Sequence, residues 1–133
     1  MSSTRFENGR RVVDRWDEVF RAASAEPRRQ LVVSLLDAGD ADPVSLPESA
    51  VNPNVPVDSE TLRIELRHVH LPLLDELGFV RWESDPFRAF PGPRFDEIAV
   101  VFEALHSEAT DLPDSLVVGC QRLEKERQGI HES

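Results

Sequence analysis

From Val12 onward, apolar side chains return at three- and four-residue steps, through Val13, Trp16, Val19, Phe20 and Ala23, whereas residues 1–9 are largely polar. That period predicts a first amphipathic helix. Ser24 offers a hydroxyl to cap a second helix, and Pro27 suits its first turn, where no N–H is needed. Leu31, Val32, Leu35 and Leu36 form its apolar stripe, and Gly39 marks its end. Pro43, Pro47, Pro53 and Pro56 then forbid a long helix and leave room for one short turn near Pro47 to Ala50. The strongest helical signal follows. Asp58 or Ser59 can cap it, and Leu62, Leu66, Val69, Leu73 and Leu77 repeat at steps of four, three, four and four. Pro72 has no N–H to give the His68 carbonyl, which predicts a kink or a split, and Gly78 is placed as the terminator. Phe79 to Glu83 reads as a strand, Ser84-Asp85-Pro86 as a turn and Phe87 to Phe90 as the return strand. Two further helices close the chain, one with Ile98, Val101, Phe102 and Leu105 on one face, the other with Leu116, Cys120 and Leu123.

The fold class expected from this order is mainly α with a small β-hairpin. Three helices followed by a two-stranded ribbon is the order of a winged helix-turn-helix, whose third helix enters a major groove while the hairpin touches backbone or minor groove. The division expected is a polar arm at 1–10, a winged-helix domain at 11–95 and a C-terminal helical extension at 96–133. The apolar stripes after residue 95 exceed what a 90-residue core covers, so the extension is expected to make a homodimer. The alternative is that both end helices fold back and finish a monomer.

Length and charge narrow the partners. A chain of 133 residues suits one domain, and no apolar run approaches the ~20 residues that cross a bilayer, so a membrane partner is not expected. The N-terminus lacks the apolar core of a signal peptide, which makes the cytoplasm the expected compartment. One cysteine, Cys120, excludes an internal disulfide and a multi-cysteine zinc site. There are 25 acidic and 15 basic residues, of which 14 are Arg and one is Lys125. An acidic, lysine-poor surface of this kind resembles that of proteins from salt-in halophiles; an Arg-rich coding bias is the alternative.

Residues 60–80 carry a resemblance. Leu66-Arg67-His68-Val69-His70-Leu71-Pro72 with Gly78-Phe79-Val80 is similar to the third helix and strand entry of an uncharacterised winged-helix family of halophilic archaea, within the arsenic-repressor-like regulators. Trp16-Asp17-Glu18-Val19-Phe20 with Ser24, Pro27, Arg28, Arg29 and Leu31 resembles the helices that precede it there. The likeness covers about residues 12–90, with His-Val-His-Leu-Pro its specific part. It implies a winged-helix fold and DNA binding. Ser45-Leu46-Pro47-Glu48 departs from it, because a proline-rich insertion follows.

The candidate interface follows from charge and position. Arg63 and Arg67 stand four apart on one face of the third helix, with His70 near that face and Ser59 and Thr61 at its N-terminus. Arg is the commonest reader of guanine edges, and hydroxyls and helix N-termini bind phosphate. Arg81, Arg88 and Arg94 flank the hairpin, and Arg5, Arg10, Arg11 and Arg15 an arm, the only segments with a net positive charge. The expected DNA-binding set is Ser59, Thr61, Arg63, Arg67, His70, Arg81 and Arg88, on double-stranded DNA, in a transcriptional regulator. Two alternatives stand beside it: a solvated charge pattern in which Arg63 and Arg67 pair acidic neighbours, and a winged-helix module that contacts protein instead. The third helix is itself net acidic, which favours the second. His68, His70, His106 and Cys120 would suit a metal sensor, but two histidines at i, i+2 point to different sides of a helix, so no metal and no other cofactor is expected. With no glycine-rich loop, no paired-carboxylate site and Ser34, Ser45 and Ser107 outside any nucleophile elbow, no enzymatic activity is expected either.

Overall fold

The computed structural model describes residues 2–39, 42–117 and 121–129. Most of these are helical, with one small antiparallel sheet. Helix α1 spans Ser2–Ala22, α2 Glu26–Ala38, and β1 is a two-residue strand at Val44–Ser45 followed by a 3-10 turn at Glu48–Ala50. Two helical stretches, α3 (Ser59–Glu65) and α4 (Leu71–Leu77), are joined by a π turn at Leu66–His70. Strands β2 (Val80–Ser84) and β3 (Phe87–Pro91) form the hairpin, and α5 (Phe95–Ser107), α6 (Asp114–Val117) and α7 (Gln121–Gln128) follow.

Three differences from the sequence reading have physical causes. The first helix starts at Ser2, about ten residues before its apolar stripe, so the polar arm is helix. Glu7 with Arg11, and Arg10 with Asp14, are opposite charges four apart, which support a helix without burial. Ser24 does not cap α2: its hydroxyl donates to Arg21 O at 2.8 Å, and Ala25 stands at the N-cap with no side-chain bond. The break expected at Pro72 falls just before it, where the π turn at Leu66–His70 separates α3 from α4. The Leu71 N–H reaches Leu66 O, five residues back, so the π turn takes up the residue whose usual bond proline lacks.

That extra residue shifts the buried stripe. Leu62 and Leu66 point inward as their spacing predicts, but beyond the π turn His70, Leu71 and Leu74 are buried and Val69 faces solvent. At the far end Gly78 takes a left-handed conformation, φ 86°, and ends α4. A side chain at Gly92 would come within 2.6 Å of Gly78 O, so the chain after the hairpin closes tightly on the helix end.

Strand order is β1-β3-β2, with Val44 opposite Ala89 and Trp82 opposite Ala89 from the other side. The hairpin is therefore a three-stranded sheet. The core joins Leu31, Val32 and Leu35 of α2 to Leu62, Leu66, Leu71 and Leu74, to Phe79 and Ala89, and to Phe95, Ile98, Ala99 and Phe102 of α5. Thus α5 shares the core of the residues before it. Of the stretch from Leu112 to Lys125, read as one helix, the described residues show α6 and α7; α7 packs beside α5, and Val117 is buried. Much of the stripe expected to form a dimer contact is covered from within. Cys120 and the Arg5 side chain lie outside the described residues. Among the described residues, no helix is long and apolar enough to cross a membrane.

Candidate nucleic-acid interface

The helix from Ser59 to Leu77 opens on a carboxylate. Asp58 accepts hydrogen bonds from the Thr61 N–H at 3.0 Å and the Thr61 hydroxyl at 2.7 Å. Those two bonds hold the Asp58 carboxyl below its ordinary range, the hydroxyl's contribution first. A negative group thus occupies the place a phosphate would take, and the Thr61 hydroxyl is already engaged. Of the two hydroxyls expected at this end, that of Thr61 is thus bound within the chain, while Ser59 stays exposed beside it.

One turn on, Arg63 and Arg67 reach the hairpin. Their guanidinium carbons lie 5.6 and 4.3 Å from the centre of the Phe87 ring, and Phe87 meets Trp82 edge to face at 6.1 Å. Among the described residues neither guanidinium donates a hydrogen bond or meets a carboxylate. The pairing with acidic neighbours that the sequence allowed is absent there. A guanidinium held over an aromatic face by cation–π attraction can still offer its N–H fork to another partner, as bidentate recognition needs.

Strand register separates Arg81 and Arg88 from that pair. Arg81 stands opposite Phe90 and Glu83 opposite Arg88, so these four share one face of the sheet, while Trp82, Phe87 and Ala89 share the other. Arg81 donates to Asp75 Oδ1 at 2.7 Å and to Asp75 O at 3.2 Å. Arg88 Nε lies 3.2 Å from Glu83 Oε2, close enough for an ion pair though not aligned as a hydrogen bond. The four arginines of the candidate set thus fall into two pairs, on opposite faces of the hairpin. Arg94 is internal in role, bonded to Leu77 O at 2.9 Å, paired with Glu18 and Glu97 at 2.8 Å each, and lying over Phe79. With Arg15, which also pairs with Glu97, it holds the Glu97 carboxyl below its usual value. Arg10 and Arg11 remain exposed.

His70 leaves the interface altogether. It is 8% exposed, and its Nδ1 lies 2.8 Å from Arg28 Nη1. Since Arg28 can only donate, Nδ1 is the acceptor and the ring proton sits on Nε2. Arg28 also donates to Ala22 O at 2.9 Å, to Arg21 O at 3.1 Å and to the Ser24 hydroxyl at 3.0 Å. Arg29 donates to Ala23 O at 2.7 Å. Two cations thus satisfy the free carbonyls at the end of α1, where a helix favours positive charge. Burial, and then the Arg28 charge, push the His70 pKa below its ordinary value. The His-Val-His-Leu-Pro segment is in this way a packing device: His68 and Val69 outward, His70 and Leu71 inward, and Pro72 after the π turn.

No group of three or more His, Cys, Asp or Glu able to hold a metal occurs among the described residues. A cavity of about 610 Å³ between α2, α5 and α7, lined in part by Gln30, Val33, Phe102 and Leu123, includes none of the seven candidate residues. Sequence reasoning missed Phe87 and Arg28. The first shows only as a strand aromatic, and the second is marked by its place four residues after Ser24. Comparison with models of protein families, with characterised proteins and with solved structures returned no match.

Proposed function

We propose that the chain is a winged-helix protein that binds double-stranded DNA and regulates transcription, with Arg63 and Arg67 as its base-reading pair. The observation that carries this reading is the placement of both guanidiniums over the Phe87 ring, with no carboxylate paired to them among the described residues, where the long helix meets the hairpin. The strand order β1-β3-β2, with the helix from Ser59 to Leu77 leading directly into the hairpin, supports the winged-helix reading. The resemblance of residues 12–90 to the halophilic winged-helix family supports it too. On this reading α2, the 3-10 turn at Glu48–Ala50 and the helix from Ser59 to Leu77 are the three-helix unit, with its middle helix cut to one turn by the prolines. Arg forks suit the O6 and N7 of guanine, and the exposed Ile64 and Val69 suit thymine methyl groups. Phosphate contact falls to Ser59, Arg10 and Arg11, and to Arg81 and Arg88 once their exposed acid pairs open.

A second reading has its own observation. Ile64 and Val69 are more than half exposed on a helix that also carries Glu60 and Glu65, a mixed surface suited to a protein partner. Selection of bound duplexes from a random pool, in KCl at salt-in cytoplasmic strength, separates the two. Recovery of a common sequence containing guanine supports DNA reading. Recovery of no sequence, in dilute buffer as well as in molar KCl, contradicts it and leaves the protein-contact reading.

A further inference from the structure

The cavity between α2, α5 and α7 combines apolar walls with a charged rim, and at about 610 Å³ it lies within the range of small-molecule sites, about 300–1,000 Å³. One side of it is a single face of α2, from Glu26 to Asp37, whose lining positions recur at three- and four-residue steps. At about 1.5 Å per residue that face is roughly 16 Å long, so the cavity is a trough. Half-buried Val33 and Leu123 and buried Phe102 give it apolar surface, and Leu116, 62% exposed on α6, stands on its open side. An aliphatic chain laid along the trough would take that surface out of water. The lining carries four full charges, Glu26, Arg29, Asp37 and Lys125, and the two acids are occupied. Glu26 accepts from Asn52 Nδ2 at 2.7 Å, and Asp37 has a partner within the chain. His106, also on the wall, is engaged as well. The cations are less committed: Arg29 gives Nη1 to Ala23 O, and Lys125, the one lysine of the chain, meets no partner among the described residues.

We infer that this trough binds a small monocarboxylate with an aliphatic chain, its head on Lys125 and its chain along Val33, Leu116 and Leu123. An ammonium is a compact charge with three rotatable donors and suits a single carboxylate met end-on. Glu124 and Glu126 lie beside Lys125 in sequence, but each points about 100° away from it around α7 and has a partner of its own. Gln30, half-buried on the α2 wall and without a hydrogen bond among the described residues, offers a second donor. A cationic head on the same chain would have to displace Asn52 from Glu26 or the partner of Asp37, and a neutral head would gain nothing from the ammonium charge. The net charge of −10 repels an anion at a distance, yet at molar salt that field is screened within about 3 Å and the charge in contact decides. The trough shares no residue with the seven of the candidate DNA interface, so the inference stands whether or not the protein binds DNA.

The test is titration calorimetry on the full chain in molar KCl, with probes that share one aliphatic chain and differ in the head: octanoate, octylamine and octan-1-ol. Octanoate should bind saturably, and about tenfold more tightly than either of the others. Lys125→Met should bring octanoate to the affinity of octan-1-ol and leave the alcohol unchanged, whereas Lys125→Arg should keep the preference for the acid. Leu116→Glu, which sets a carboxylate on the open side of the trough, should weaken octanoate by about tenfold or more. Both side chains are exposed, so the melting temperature of each variant should stay near that of the parent, which assigns the losses to the site. Octanoate that does not saturate at several millimolar overturns the inference. So does octylamine or octan-1-ol binding as tightly as octanoate, or a Lys125→Met variant that keeps the parent's preference.

Discussion

On one face of the β2–β3 hairpin two arginines lie over an aromatic ring with no carboxylate paired to them among the described residues; on the other, two arginines each meet an acid. Residue type is the same, and circumstance decides what each can do. Arg63 and Arg67 lie over Phe87 and make no hydrogen bond among the described residues, so their donors are open to a ligand. Arg81 and Arg88 must first leave Asp75 and Glu83, at a cost of about 0–1 kcal/mol for each exposed pair. They suit contacts that need charge without direction. A third circumstance lies inside the molecule, where Arg28 makes four hydrogen bonds within the chain and braces its packing.

Substitutions that exchange these circumstances should rank accordingly. Arg28→Met should cost about 3 kcal/mol of stability, read by urea unfolding, because it takes from the Ala22 carbonyl and from His70 Nδ1 the donor that Arg28 gives each of them in a buried place. A loss below 1 kcal/mol would mean that the brace is slack. Arg67→Ala should lose about 1–3 kcal/mol on a selected site, and Phe87→Leu about 1 kcal/mol through the lost ring, each with a change in stability well below that of Arg28→Met. If Phe87→Leu left both affinity and base preference untouched, the ring would not be holding the guanidiniums in place.

His70 gives the brace a dependence on pH. Its folded pKa is lowered, so the unfolded chain takes up a proton first, near 6.5, while the folded one resists it. The stability held above pH 6.5 should therefore drain away as pH falls below it, until His70 protonates in the fold as well. His70→Gln keeps an acceptor for Arg28 and should remove that part of the slope between pH 7 and 5, measured by melting temperature. An unchanged slope would exclude His70 as its source. The smallest effects belong to Arg81→Ala and Arg88→Ala, each within about 1 kcal/mol in stability. Molar KCl should raise the melting temperature of the parent and these variants alike, since screening relieves an acidic surface; highest stability in dilute buffer would count against that account.

The helix from Ser59 to Leu77 is legible in the chain because leucines at four-residue steps leave few alternatives, and Gly78 is legible as its end. The inward turn of His70 in place of Val69 is not, since a one-residue π insertion is a local answer to Pro72 that shifts every later position. The hairpin is legible from its alternation, but which arginine faces which acid depends on register about a two-residue loop, and β1, two residues between prolines, has no period to show. The start of α1 is hidden for a different reason: its first turns rest on charge pairs rather than on an apolar stripe. Of the seven candidate interface residues, the helix pair alone meets as expected. The ring that organises it belongs to a strand some twenty residues away, which no local pattern connects.

The most direct test of the DNA-reading account is a side-by-side measurement of base preference for Arg67→Ala and Arg88→Ala, at one salt concentration, on a selected duplex and its single-base variants. The account predicts that Arg67→Ala flattens the preference at one guanine position by about tenfold or more, whereas Arg88→Ala weakens every sequence by the same factor and lowers the salt slope by about one. Equal losses from both substitutions on every sequence would contradict it.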